Sequence, residues 1–148
     1  MEIEILQYLE EDESDVLEMM TLFNAIDGYD FDPRIGKENL KEFTSNAALG
    51  VLYVIKLEKQ NIGYIVLTFG FSFEYKGRDA FIDEFFIKKA YRNKGVGRKT
   101  LDFIAVQAKE LNVNVIHLEV ERHNQVAHNL YVSKGFCSND RVLLTKKI

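Results

Sequence analysis

The sequence predicts one α/β (α+β) domain in which a mixed, mostly antiparallel sheet carries helices on both faces. Three observations lead there. Apolar, β-branched runs and amphipathic stretches follow one another over the 148 residues in the order β-α-α-β-β-β-α-β-α-β. Short polar breaks join three successive strand-like runs in the middle of the chain, as in antiparallel hairpins. Farther on, two strand-like runs flank a helical stretch, and a strand pair joined by a helical crossover is parallel. No repeat or low-complexity linker divides residues 1–148, which read as a single domain.

Taken in order, Ile3 and Ile5 alternate with Glu2 and Glu4, which suits a first strand with one buried face, ending near Leu9. Ser14 or Asp12 can cap a helix in which Val16, Leu17, Met20, Phe23 and Ala25-Ile26 recur at helical spacing as far as Gly28. Pro33, the only proline, is placed in a loop, and Lys37 to Ser45 reads as a short second helix carrying Leu40 and Phe43. Val51 to Leu57, Ile62 to Phe71 and Ala80 to Ile87 form the three antiparallel strands, with turns at Gln60-Asn61 and Lys76-Gly77-Arg78-Asp79. Arg98 to Leu111 is helical through Leu101, Ile104, Ala105 and Ala108, and Val113 to Val120 is the next strand. A last helix runs from Asn124 to Lys134, stopped by Gly135, and the Val142-Leu143-Leu144 run supplies one or two final strands.

With 47% apolar and 28% charged residues, the balance is that of a folded globular chain and not of a disordered tail. A net charge of −4 argues against general nucleic-acid binding, which favours a basic surface. Acids gather at Glu10-Glu11-Asp12-Glu13 and at Asp27, Asp30 and Asp32, whereas bases gather around Arg92 to Lys99; that separation suits an anionic cofactor and a basic acceptor. Cys137 is the only cysteine, so no intrachain disulfide forms and a reducing compartment is expected. No apolar run reaches membrane-spanning length and Met1-Glu2-Ile3-Glu4 has no signal-peptide character, which together point to the cytoplasm and to no membrane partner.

The densest chemical signal is Arg92-Asn93-Lys94-Gly95-Val96-Gly97, which follows an apolar strand and opens the helix beginning near Arg98. Two glycines let backbone amides approach a bulky anion, and a helix start adds free N–H groups and the positive end of a dipole. Arg92, Lys94, Arg98 and Lys99 bring mobile positive charge. A dinucleotide fingerprint would need a third spaced glycine, and a P-loop would need Gly-Lys-Ser/Thr; neither is present.

The pattern Arg92-x-x-Gly95-x-Gly97 resembles the acetyl-CoA signature of the GNAT superfamily of N-acetyltransferases. Asn124-x-x-Ala127-x-x-Leu130-Tyr131-x-x-x-Gly135-Phe136 resembles that family's second segment. The motif-bearing likeness covers Phe81 to Phe136, and Lys89 stands where a proline is common. The run Phe81-Ile82-Asp83-Glu84-Phe85-Phe86-Ile87 leading to Ala90-Tyr91-Arg92 is similar to the matching stretch of diamine acetyltransferases, where an acidic pair occupies these positions.

The resemblance implies the GNAT acetyltransferase fold and transfer of an acetyl group from acetyl-CoA, the cosubstrate, to an amine acceptor. It implies that the amides of Arg92, Asn93, Lys94, Gly95, Val96, Gly97 and Arg98 hold the pyrophosphate, and that main-chain groups of Phe85, Phe86 and Ile87 pair with the pantetheine arm. Asn124 is a natural N-cap to which the resemblance adds a cofactor contact, and small Ala127 lets the helix approach the thioether. Tyr131 is the general acid that the family commonly places here to protonate the departing thiolate.

Deprotonation of the acceptor calls for a carboxylate. Asp83 and Glu84 interrupt an apolar strand, and since adjacent strand residues point to opposite faces, one of the two is expected to enter the site. Glu119 is a second choice. His117, Glu119, Glu121 and His123 share one parity on the following strand, but ligands strung along a strand splay apart, so no metal is expected. Tyr29, Asp30 and Asp32, in the early loop, are candidates for binding a cationic acceptor, a plain surface loop being the alternative reading. The acceptor reads as small and cationic: polyamine-like, an amino acid or aminoglycoside-like. A protein-lysine or protein N-terminal acetyltransferase and a non-catalytic CoA-binding module are the other readings. Val142-Leu143-Leu144 or the hairpin around Phe71-Ser72-Phe73 could supply the interface of a homodimer.

Overall fold

The computed structural model describes residues 1–148, and its five strands lie in one sheet in chain order. They are β1 (Glu4–Gln7), β2 (Gly50–Leu57), β3 (Gln60–Ser72), β4 (Gly77–Ile87) and β5 (Val115–Leu118). β1 to β4 pair antiparallel, and β4 and β5 pair parallel from Asp79↔Val115 to Ile82↔Leu118. The helices are α1 (Glu13–Ile26), α2 (Pro33–Thr44), α3 (Val96–Glu110) and α4 (Gln125–Ser133).

Unbroken apolar runs in β2 and β3 reflect cover on both faces of the sheet. Leu52, Val54, Tyr64 and Val66 pack against Val16 and Met19 of α1 and Leu40 of α2. Their neighbours Val51, Tyr53, Ile65 and Leu67 point the other way, onto Leu101 and Ile104 of α3. Each such aliphatic side chain contributes roughly 1.5–3 kcal/mol by leaving water. A third cluster, Ile55, Ile62 and Val96, seats the start of α3 on the sheet together with Ile87 and Tyr91.

Several boundaries differ from those expected. Pro33 is the first residue of α2, where its missing N–H costs nothing, and Asp32 caps the helix by accepting from Arg34 N at 2.9 Å. The β2–β3 turn falls at Glu58-Lys59, both at positive φ as a tight hairpin turn requires, so Gln60 and Asn61 belong to β3. The β3–β4 turn lies at residues 73–76, with Lys76 at φ 63°, and Gly77 to Asp79 belong to β4. Asp12 precedes α1 without capping it: its carboxylate accepts from Leu9 N, Lys56 Nζ and Asn61 Nδ2, tying the chain before α1 to the β2–β3 hairpin.

The expected final strand is absent, and the sheet ends at β5. Residues 137–148 make no backbone–backbone hydrogen bond. Their course is set by side chains instead. Asn139 Oδ1 accepts from Arg141 N at 3.1 Å, and the Arg141 guanidinium grips Glu74 in the β3–β4 turn at 2.7 and 2.9 Å.

Candidate active site

The glycine-bearing turn connects β4 to α3. The amides of Asn93 through Arg98 find no acceptor within the protein, the first bond of the following helix running from Lys99 N to Gly95 O. That leaves a run of free donors at the positive end of a helix, an arrangement that receives a multiply charged anion. Asn93 at φ 60° and Gly95 at φ 82° supply the left-handed backbone that turns them outward. Gly97 acts differently: a Cβ there would lie 2.9 Å from Leu130 Cδ2, so the missing side chain is what lets α4 sit close to α3. Arg92 folds back, its Nε donating to Ile87 O at 2.7 Å and its guanidinium lying 5.4 Å from the Phe86 ring.

Beside this turn the sheet splits. β4 stays paired with β3 as far as Ile87, but its pairing with β5 stops at Ile82. The edge of β4 through Phe85 and Ile87 therefore opens onto a gap whose other wall is the end of β5 and α4, a slot in which an extended arm can take a strand's hydrogen bonds. The side chains of Phe85, Phe86 and Ile87 meanwhile serve the core.

A cavity of about 320 Å³ lies at the mouth of the gap. Asn124, Ala127 and Tyr131 of α4 form one wall, with Asn124 capping its own helix by accepting from Ala127 N at 3.1 Å. Phe23, Asp27 and Tyr29 form the opposite wall. Asp27, Asp83, Glu119 and Glu121 bring four carboxylates to this lining and no lysine, arginine or histidine accompanies them. Burial pushes the Tyr131 hydroxyl up to about 12, so at neutral pH it keeps its proton.

Asp83 and Glu84 do not point to opposite faces. The β3–β4 register slips between Val66 and Leu67, so Asp83 is the extra residue of a β-bulge, and both carboxylates line a second cavity of about 240 Å³ under α1 and α2. Asp83 lines both cavities and is thus the junction between them. Partial desolvation raises its pKa. Glu84 is also raised, chiefly by burial and further by Asp83, although it accepts a 2.8 Å hydrogen bond from Tyr64, whose own hydroxyl is pushed far up by burial and by Glu84.

Two contacts span the mouth of the first cavity. Tyr29 Oη donates to Glu121 Oε1 at 2.8 Å, and His123 Nε2 lies 3.4 Å from Asp27 Oδ1. Asp30 and Asp32 line neither cavity. Asp27, Glu121 and Phe23 do, and nothing in their spacing singles them out, because they meet only through the packing of separate loops. His117 pairs with Asp79 at 3.3 Å, Glu121 with Tyr29 and His123 with Asp27, so these residues of like parity turn to different partners and do not converge on one point. No helix is long and apolar enough to cross a membrane.

Known proteins resemble this chain in sequence and in fold. An uncharacterized N-acetyltransferase of Bacillus subtilis, YycN, is 33% identical over 98 residues, covering 66% of this chain and 61% of that protein. The thialysine N-epsilon-acetyltransferase of Bos taurus is 30% identical over 74 residues, 50% of this chain and 43% of that protein. The matched region thus spans less than two thirds of either relative. A solved structure of a predicted acetyltransferase with acetyl-CoA from Clostridium acetobutylicum has a TM-score of 0.82 at 18% identity, covering 98% of this chain and 96% of that one. The family profile described as Acetyltransferase (GNAT) family matches residues 16–136, from the first turns of α1 to the residue that follows Gly135, and this chain belongs to that family.

Proposed function

We propose that this protein transfers an acetyl group from acetyl-CoA to a primary amine of a small cationic acceptor, by direct attack within a ternary complex. The observation that carries the reading is the continuity of three features: a run of free amides, an open strand edge beside it, and an acidic cavity at the far end that holds Tyr131. The amides of Asn93 to Arg98 suit the pyrophosphate and the open edge of β4 suits the pantetheine arm, which would bring the thioester toward Ala127 and Tyr131.

An ammonium group is drawn into the cavity by Asp27, Asp83, Glu119 and Glu121. Asp83, at the junction of the two cavities, accepts its proton directly or through water, with Glu84 and Glu119 as the neighbouring alternatives. The freed nitrogen lone pair attacks the thioester carbonyl carbon, the C–S bond breaks, the sulfur takes the proton from Tyr131, and the second proton that the attacking nitrogen must lose to become an amide passes to the tyrosinate directly or through water. A hydroxyl held near 12 remains protonated until that moment. The small-amine reading is supported by the scale of the cavity and by the name of the bovine relative, which acts on an ε-amine of thialysine.

Release of free CoA thiol is measured for the full chain with acetyl-CoA across diamines, amino acids, aminoglycosides and lysine or N-terminal peptides. Turnover with small cationic amines above that with peptides is expected. Preference for peptides would move the assignment to a protein acetyltransferase, and CoA binding without turnover on any amine would leave a binding module.

A further inference from the structure

The chemistry proposed at Asp83 and Tyr131 leaves the second cavity unused. Its floor is a row across three strands, Leu52, Val66 and Glu84, set side by side by the pairings Leu52↔Val66 and Val66↔Glu84. Met20 of α1 and Leu40 and Phe43 of α2 cover that row. The result is an apolar sleeve of about 240 Å³ with a carboxylate in its floor, and Asp83 joins it to the cavity that holds Tyr131. α2 is shaped for this space as well. Gly36 lies inside the helix, where glycine is weaker than alanine, and a Cβ there would overlap the ring of Phe31. Phe31 and Gly36 both line the cavity, so the missing side chain seats that ring as part of its wall.

The carboxylates here lack the partners that the fold gives a buried acid elsewhere. Asp12 is closed off by Lys56 Nζ at 2.9 Å, with Asn61 and the amide of Leu9. Neither Asp83 nor Glu84 takes part in an ion pair, and no lysine, arginine or histidine lines the cavity. Glu84 accepts one hydrogen bond, from the fully buried Tyr64, which fixes the carboxylate through Oε1 and leaves Oε2 free. A desolvated carboxylate without a counter-ion is costly, and a cation brought by a ligand removes that cost.

We propose that the second cavity is the specificity subsite for the far end of the acceptor: an alkyl chain runs past Asp83 into the sleeve walled by Phe31 on Gly36, and Glu84 holds a second ammonium group at its end. The inference rests on the acetyl-transfer reading for the placing of the reacting amine at Asp83, and it narrows the acceptor to an α,ω-diamine. A carboxylate beside the second amine would meet Asp83 and Glu84 with like charge, which disfavours amino acids of the same length. A hydroxylated ring would leave its hydroxyls unpaired against Met20, Leu40 and Phe43.

The test sets 1,4-diaminobutane and 1,5-diaminopentane against butylamine and pentylamine, which lack the second amine, and against ornithine and lysine, which add a carboxylate. Turnover of the full chain with acetyl-CoA is measured beside calorimetric titration of each amine with and without CoA. The kcat/KM of the better diamine should exceed that of its monoamine and its amino acid by about tenfold or more, mainly through KM, with correspondingly tighter binding. Gly36→Ala, which displaces the Phe31 ring while favouring the helix, and Glu84→Gln should each cut that preference at least about threefold. Phe31→Ala opens the same wall should Gly36→Ala not fold. Monoamines or amino acids handled as well as the diamines overturn the proposal, as does a diamine preference that survives either substitution. Absence of turnover with every amine counts against acetyl transfer, and the titration then decides the subsite by itself. Diamine binding weakened by both substitutions upholds it, whereas binding that either leaves unchanged, or no diamine binding, overturns it.

Discussion

The centre of the sheet and its C-terminal flank use similar residues on different terms. β2 and β3 bury Val51 to Ile55 and Ile62 to Leu67 on alternate faces between two helical layers. β5 and α4, no poorer in valine and leucine, have no fully buried residue. Yet α4 carries Tyr131, Asn124 and Ala127, while the centre contributes the pair Asp83 and Glu84. The framework thus holds the carboxylates on a bulge between paired strands and leaves the proposed acid on a helix that buries no residue fully and rests on the core through Leu130 and Tyr131.

Substitutions that separate the two regions test this contrast. Leu67→Ala, fully buried between sheet and α3, should lower stability by about 3–4 kcal/mol in a urea titration, whereas Val132→Ala on α4 should change it by less than about 0.5 kcal/mol. Equal losses would show that the flank is as tightly held as the centre. Asp12→Ala comes next. It strands Lys56 and Asn61 at a buried site, at a cost of about 3 kcal/mol. Burial pushes the Asp12 carboxyl up, but hydrogen bonds from Lys56, Leu9 N and Asn61 and the charge of Lys56 outweigh it, so its pKa is lowered. With the folded value below the ordinary 3.8, the stabilisation is complete above that pH and is lost as pH falls through the lower folded value. Acid unfolding of Asp12→Ala should lack this component.

Tyr131→Phe should leave the urea midpoint in place while lowering kcat about 100-fold, with little change in KM for acetyl-CoA. An unchanged kcat would remove Tyr131 from the chemistry. Asp83 and Glu84 are both raised, so the acidic limb of kcat/KM should lie above the ordinary carboxylate range of 3.8 to 4.5, activity rising as the base loses its proton. Asp83→Asn should abolish or displace that limb, and a limb that stays in place would assign the base elsewhere. The smallest effect is expected from Tyr29→Phe, which removes the exposed bond to Glu121 and should alter acceptor KM by about threefold or less.

Much of this contrast could be read from residues alone. The run Val51 to Leu57 announced an apolar strand, and the spacing of Arg92, Gly95 and Gly97 announced a turn with free amides at a helix start, because composition and backbone freedom are local properties. The free amides of Asn93 to Arg98 follow directly from that spacing. Gly97 is a partial exception, since its role against Leu130 depends on where α4 lands. Alternation misleads at Asp83 and Glu84, where one slipped residue against β3 turns both carboxylates to the same side. The Val142-Leu143-Leu144 run has the composition of a strand, and no neighbour within the chain pairs with it.

By itself the sequence determined the order of the helices and strands through α4, the glycine turn that opens α3, and the capping of α4 by Asn124, all of which depend on residues within a few positions of one another. Tertiary structure alone decided that Asp27, Asp83, Glu119 and Glu121 share one cavity with Tyr131 and that β5 ends the sheet. Those outcomes depend on strand register and on loops distant in the chain coming together, and pairing energies between remote segments leave no periodic mark on either segment taken alone.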